Sequence, residues 1–98
     1  NRVLETENPG VLICGTGLGM SMSANRFPGI RAALCFNEYS AGMARQHNDA
    51  NILCLGARVI GEDLALAVLE RFLRTDFQGG RHEERIRLMD RMGSNISA

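Results

Sequence analysis

The sequence has 98 residues, of which 45% are hydrophobic and 22% charged, and its formal net charge is zero. This length and composition indicate one globular domain, and the balanced charge argues against nucleic-acid or membrane-surface binding. No apolar run has transmembrane length. Three cysteines about twenty residues apart fit neither a disulfide framework nor a zinc site, so we expect a cytoplasmic protein without a metal.

Three short apolar runs bounded by turn-forming residues predict buried strands over residues 11–14, 30–36 and 52–55. Helices are predicted over 20–26, 38–47, 62–74 and 81–92, with a helix end within 1–8 and fraying over 93–98. The alternation predicts right-handed β-α-β connections and a parallel sheet. Because the first strand lacks a predicted outer neighbour, we expect the chain to belong to a longer α/β domain or to pair with a second copy.

A glycine loop follows the first strand, with Gly15, Gly17 and Gly19 at alternate positions and Ser21 where a helix could be capped. This layout is typical of a cradle for an anion or oxyanion, because glycine lets backbone N–H groups approach a ligand closely. Cys14 ends the strand, at the sheet edge where open α/β sheets bind ligands. A thiol among N–H donors can act as a base or nucleophile; the alternative is a buried structural cysteine.

Two arginines, Arg81 and Arg85, are four residues apart in the first turn of a predicted helix. Like charges at this spacing repel each other, and cations oppose the helix dipole there, so a bound anion would relieve both costs. The alternative is that Glu83, Glu84 and solvent neutralise them.

Both histidines have a simple structural interpretation. His47 stands near a predicted helix C-terminus, where an imidazole often only interacts with the last carbonyl groups. His82, beside Arg81, is expected to be structural or exposed to solvent.

Three motifs together carry a family resemblance. They are C-G-T-G-L-G-M-S-M-S-A-N over 14–25, R-Q-H-N-D over 45–49 and G-G-R-H-E-E-R over 79–85. In this order they closely resemble ribose-5-phosphate isomerase type B, whose family also contains galactose-6-phosphate and allose-6-phosphate isomerases. The resemblance implies a flavodoxin-like, three-layer α/β/α fold around a five-stranded parallel sheet, working as a homodimer or homotetramer.

The sequence departs from the family at its beginning. Family members open with a strand ending in an Asp-His pair, then a second strand and its helix, and neither is present here. We therefore expect residues 1–98 to form a single partial domain holding the last three strands. In the flavodoxin strand order 2-1-3-4-5, the missing first strand would lie beside residues 11–14 and its loss would expose them.

The resemblance implies aldose–ketose isomerisation of ribose 5-phosphate to ribulose 5-phosphate through an enediolate, with no cofactor. Cys14 would move the proton between C1 and C2, Thr16 would assist at the sugar oxygens, and His47 would open the furanose ring. The phosphorylated sugar would be held, partly across a dimer interface, by Gly15, Gly17, Gly19, Met20, Ser21, Asn48, Arg58, Arg81 and Arg85.

Two other functions are compatible with parts of the sequence. Dinucleotide binding by G-x-G-x-x-G would need glycine at position 20, which is Met20, and Gly19 comes one residue too early. Alternatively, the chain is a catalytically incomplete fragment or an interaction module, because the absent Asp-His segment normally helps to bind substrate.

Overall fold

The computed structural model describes residues 8–96, with side chains described as far as residue 91. In chain order the elements are β1 Gly10–Cys14, α1 Leu18–Ala24, β2 Ala32–Leu34, α2 Glu38–Gln46, β3 Ile52–Gly56, α3 Glu62–Arg74 and α4 Arg81–Ile96. Every predicted strand and helix from residue 11 onward is present, but β2 is shorter than predicted and α4 continues past 92. The predicted helix end within 1–8 lies, except for residue 8, outside the described residues, as do 97 and 98.

The strands form one parallel sheet in the order β1-β3-β2. β1 pairs with β3 from Gly10 opposite Ile52 to Cys14 opposite Gly56, and β2 pairs with the other side of β3. The flavodoxin order, which would put β2 in the middle, is therefore wrong for these strands. All five residues of β3 are buried, as suits a central strand, whereas β2 has three half-buried residues and forms an edge.

Helices cover both faces of the sheet, which confirms the three-layer α/β/α class. Leu53 and Leu55 of β3 face α2 and α3, and Ile52 and Cys54 face α1. The larger core, on the α2–α3 side, consists of Cys35, Ala41, Ala50, Leu53, Leu55, Val68 and Phe72. In the described part of the chain, no helix is long and apolar enough to cross a membrane.

The outer edge of β1 is open, as predicted. Among the described strands, β1 pairs only with β3. Ile13 is 62% exposed and Val11 is also exposed, on the face that α2 and α3 cover further along the sheet. An apolar cavity of about 350 Å³ lies between β1 and α1, lined in part by Met20 and Phe27. Among the residues that the structure describes, the sheet thus ends on apolar surface and on a strand edge without a neighbouring strand.

The strand ends define two edges that matter for the site. At the carboxyl edge, the chain leaving β3 binds the chain leaving β1, because Ala57 N–H donates to the Cys14 carbonyl at 2.7 Å. The crossover helix α2 returns to the opposite, amino edge. There α2 meets the segment after α3: Arg45 Nε donates to the Thr75 carbonyl at 3.1 Å, and Gln78 N–H donates to the Gln46 carbonyl at 3.0 Å.

Candidate active site

Cys14 is the last residue of β1 and lies at the carboxyl edge of the sheet, and the following loop contacts its sulfur. The Gly17 N–H donates to Cys14 Sγ at 3.0 Å, and the Cys14 side chain is half-buried. Gly17 has φ +84°, and a Cβ there would collide with Leu34. Only glycine fits this turn without strain, and the same residue supplies the N–H that contacts the thiol.

The loop is packed directly against the end of β3. A Cβ on Gly56 would lie 2.5 Å from the Thr16 carbonyl oxygen, so the two backbones are in contact. The Thr16 side chain is exposed at this edge, and its Oγ1 accepts a hydrogen bond from Leu18 N–H at 3.3 Å. β3 therefore supports the loop that carries both Cys14 and Thr16.

Arg58 lies against the same loop. Its N–H donates to the Gly15 carbonyl at 2.9 Å. Its side-chain Cδ and Nε lie 3.5 and 3.6 Å from where a Cβ of Gly15 would be. The structure thus places an arginine beside the residue that follows Cys14.

Cys14 is the one thiol at the surface of this region. Burial raises the pKa of Cys54 to about 11, with a further contribution from the neighbouring Cys14 and Cys35 thiols. Burial also raises the pKa of Cys35, and the hydrogen bond with Ser40, which lowers this pKa, only partly offsets the effect. Both buried thiols are therefore protonated near neutral pH, and only Cys14 combines partial exposure with a backbone N–H donor.

The first turn of α1 departs from the prediction. The helix begins at Leu18 with Gly17 as its N-cap, so Ser21 lies inside the helix and is not a cap. The Ser21 hydroxyl donates to the Leu18 carbonyl at 2.8 Å and its N–H donates to Gly17, so both donors are used locally. Gly19 is exposed, and the Met20 side chain lines the apolar cavity at the open edge.

A second group of predicted residues lies at the amino edge. His47 is the C-cap of α2, where its N–H donates to the Met43 carbonyl at 2.9 Å, and Asn48 follows it, exposed. The His47 imidazole stacks on that of His82, with ring centroids 4.2 Å apart and planes 10° from parallel. His82 is only 9% exposed, so of its two predicted alternatives the structure agrees with the structural one and not with exposure to solvent. No signal in the sequence pairs the two histidines, because α2 and α4 meet only through the tertiary fold.

Arg81 and Arg85 flank His82 in the first turns of α4. Burial lowers the pKa of His82, and the nearby positive charges of His47, Arg81 and Arg85 lower it further. Both arginines are exposed. The carboxylate of Glu83 is held by Arg87 at 2.7 Å, so this acid is directed along the helix to another cation. The cluster therefore places two exposed guanidinium groups on α4 beside a buried imidazole whose pKa is lowered.

In one chain, the two groups of predicted site residues lie at opposite edges of the sheet. Cys14, Thr16 and Arg58 are at the carboxyl edge, while His47 and Arg81 are at the amino edge. A five-residue strand separates them by roughly 15 Å. The structure thus places these predicted residues in two groups, and the two groups do not meet within one chain.

Comparison with known proteins identifies the family. A family model described as Ribose/Galactose Isomerase matches residues 1–89. The chain is 51% identical over 77 residues to ribose-5-phosphate isomerase B of Escherichia coli, covering 79% of this chain and 52% of that protein. It is 56% identical over 77 residues to a putative sugar phosphate isomerase of Bacillus subtilis, with the same coverage of each chain.

Solved structures agree with this match. The fold is similar to ribose-5-phosphate isomerase B of Clostridium thermocellum, with a TM-score of 0.93 and 51% identity over 97% of this chain and 65% of that one. For the isomerase of Thermotoga maritima the TM-score is 0.89 and the identity 55%, over 92% and 63%. The chain spans about half the length of the curated relatives it matches. Because the family model covers nearly all of it, the chain belongs to the ribose/galactose isomerase family.

Proposed function

We propose that the full-length protein containing this chain is a sugar-phosphate isomerase that interconverts ribose 5-phosphate and ribulose 5-phosphate. The observation that carries the proposal is the half-exposed Cys14 thiol at the carboxyl edge, held by the Gly17 N–H at 3.0 Å. Names of relatives at about 50% identity support the substrate class. The loop and the arginine cluster supply the other chemical requirements of such a reaction.

The central step is proton transfer between adjacent carbons. The Cys14 thiolate removes the proton from C2 of the open-chain aldose, and the C1 carbonyl oxygen becomes an enediolate oxygen. Return of the proton to C1 then leaves the carbonyl at C2. The N–H groups of Gly15, Thr16 and Gly19 stabilise the enediolate charge, while the Gly17 N–H holds the Cys14 sulfur. The Thr16 hydroxyl moves the oxygen-bound proton. No oxidant or reductant is needed, because the electrons shift within the sugar.

Two further tasks are assigned to the amino-edge cluster. His47 moves a proton between O1 and the ring oxygen, which opens the furanose before the base can act. Arg81 and Arg85 hold the phosphate, because two exposed guanidinium groups one helical turn apart suit a dianion. Asn48 binds a sugar hydroxyl and Arg58 adds positive charge beside the loop.

We infer that a second copy completes each active site. The sheet separates Cys14 from His47 within one chain by more than a pentose phosphate spans, so a homodimer would pair the loop of one copy with the amino-edge cluster of its partner. Complementation tests this. Full-length Cys14→Ala and His47→Ala proteins should each be inactive, and a randomly exchanged equal mixture should regain about a quarter of wild-type activity. A mixture that stays inactive, although subunit exchange is demonstrated, would contradict the shared site.

The reaction itself is tested at Cys14. The Cys14→Ala protein should lose about 10²- to 10⁴-fold in kcat for ribose 5-phosphate, while binding of inorganic phosphate by calorimetry is unchanged. Cys35→Ala is the matched control, because that thiol is buried and its pKa is raised. Its kcat should stay near wild type. Turnover that survives Cys14→Ala would eliminate the thiol as the base.

The 98-residue chain by itself is expected to show little isomerase activity. Its β1 edge is open in the described part of the chain, and it spans about half the length of its relatives. The isolated chain should therefore convert ribose 5-phosphate at under a hundredth of the full-length rate. Near-normal turnover by the isolated chain would show that the remaining part of such proteins is dispensable for chemistry.

A further inference from the structure

Resting on the proposed function, we propose that His82 is a positioning residue for His47, the imidazole assigned to ring opening. The two rings stack with centroids 4.2 Å apart and planes within 10°. Face-to-face contact fixes the plane of the His47 ring without engaging its nitrogens, which lie in that plane. Within the described part of the chain, no hydrogen bond holds the His47 side chain, so the stack is its observed support.

His82 can act as a support because it is itself held firmly. It is 9% exposed, in the first turn of α4, where its N–H donates to the Gly79 carbonyl at 3.3 Å. The segment before α4 is attached to the end of α2, since Gln78 N–H donates to the Gln46 carbonyl at 3.0 Å. The support therefore reaches the residue that directly precedes His47.

The charge state of His82 also suits this role. Burial and the positive charges of His47, Arg81 and Arg85 lower its pKa, which disfavours a charge on His82 next to a protonated neighbour. A second cation stacked on His47 would oppose that proton transfer. The start of α4 thus carries both the arginines proposed to bind phosphate and His82, which supports His47. The position of the phosphate relative to the His47 ring is therefore fixed by one helix.

A pair of substrates separates positioning of His47 from general damage. Ribose 5-phosphate must be opened from its furanose form. Erythrose 4-phosphate cannot close a five-membered ring, because its C4 oxygen carries the phosphate, and so it needs no ring opening. Exchange of its C2 proton in D₂O, followed by NMR, reports the Cys14 step alone. His47→Ala in the full-length enzyme is the reference variant. Its kcat/KM for ribose 5-phosphate should fall by a much larger factor than its rate of C2 proton exchange on erythrose 4-phosphate.

His82→Ala should follow the same pattern, with about a 10- to 100-fold loss on ribose 5-phosphate and less than about 3-fold on the tetrose. His82→Phe keeps a flat face and should recover most of the loss. Ile86→Ala is the matched control, because Ile86 is also buried and lies one turn further along α4. It should change both substrates equally, if at all.

The results distinguish failure of the positioning role of His82 from failure of the proposed function. Equal losses on both substrates for His82→Ala, no loss at all, or His82→Phe as impaired as His82→Ala would overturn the positioning role. If instead wild type lacks isomerase activity, or His47→Ala impairs both substrates equally, the proposed function of the site or of His47 has failed.

Discussion

Gly56→Ala is the substitution that most directly tests whether β3 sets the shape of the loop that carries Cys14 and Thr16. Gly56 is the last residue of β3 and is buried. An added Cβ would lie 2.5 Å from the carbonyl oxygen and 2.7 Å from the carbonyl carbon of Thr16. Both are backbone atoms, so no flexible side chain can move aside.

The size of the effect follows from these distances. Ordinary contact with a Cβ begins at 3.4 Å, so the Thr16 carbonyl must move by roughly 0.9 Å. Overpacking of this kind costs about 1–3 kcal/mol in the free energy of unfolding. The same shift moves the loop that binds Cys14 Sγ through Gly17, and a displacement near 1 Å at a catalytic group costs about 100-fold in rate.

The assay compares Gly56→Ala with Gly61→Ala in the full-length protein. A Cβ on Gly61, the N-cap of α3, would meet nothing within 4 Å, and its φ of −75° suits any residue. Urea unfolding should show a loss of about 2 kcal/mol for Gly56→Ala and a change within about 0.5 kcal/mol for Gly61→Ala. The kcat for ribose 5-phosphate should fall 10- to 100-fold only in Gly56→Ala.

Two results would refute this reasoning. Equal stability of both variants would mean that the loop yields to a Cβ without cost. A destabilised Gly56→Ala protein with wild-type kcat would mean that the position of the loop does not control the reaction.

Three further predictions concern the rest of the domain. Asp49 has φ +47°, and its carboxylate accepts hydrogen bonds from Arg31 at 3.4 Å and Arg45 at 3.2 Å. Asp49→Ala should therefore lower the free energy of unfolding, measured by urea titration, by about 1–3 kcal/mol. An unchanged urea midpoint would count against a stabilising role for these hydrogen bonds. Phe72 is 1% exposed in the larger core, so Phe72→Ala should lower the free energy of unfolding by about 3–5 kcal/mol in the same titration, and an unchanged value would contradict its role in the core. Folding lowers the pKa of His82 from its ordinary 6.5, so the stability contributed by the neutral imidazole is complete above pH 6.5 and is lost as the pH falls through the folded pKa. Thermal melts from pH 7 to 5 should therefore show a smaller decline in melting temperature for His82→Phe than for wild type.

Much of the fold was predictable because it depends on local patterns. Apolar runs and glycine or proline boundaries located the three strands, and helical spacing located α3 to the residue. The strand order was not predictable in this way. The apolar run of β3 indicates burial, but which neighbour lies on each side depends on how two crossovers pack, and the flavodoxin order gave the wrong answer.

The candidate site was predictable only in parts. The Cys14 loop is local in sequence, so strand, glycines and helix start could be identified together, although the cap is Gly17 and Ser21 is turned into α1. Whether His82 is structural or exposed could not be decided from the sequence, because its burial involves contact with the end of α2, 35 residues earlier in the chain.

By itself, the sequence determined the strand–loop–helix unit around Cys14, the arginine pair on α4 and membership of an isomerase family, since each rests on residues close together in the chain. Only the tertiary structure decided that β3 is central, that His47 stacks on His82, and that the two halves of the site lie at opposite edges of the sheet. The reason is that each parallel strand ends at one edge of the sheet and each return helix ends at the other. The loop after β1 and the segment after α2 therefore lie at opposite edges.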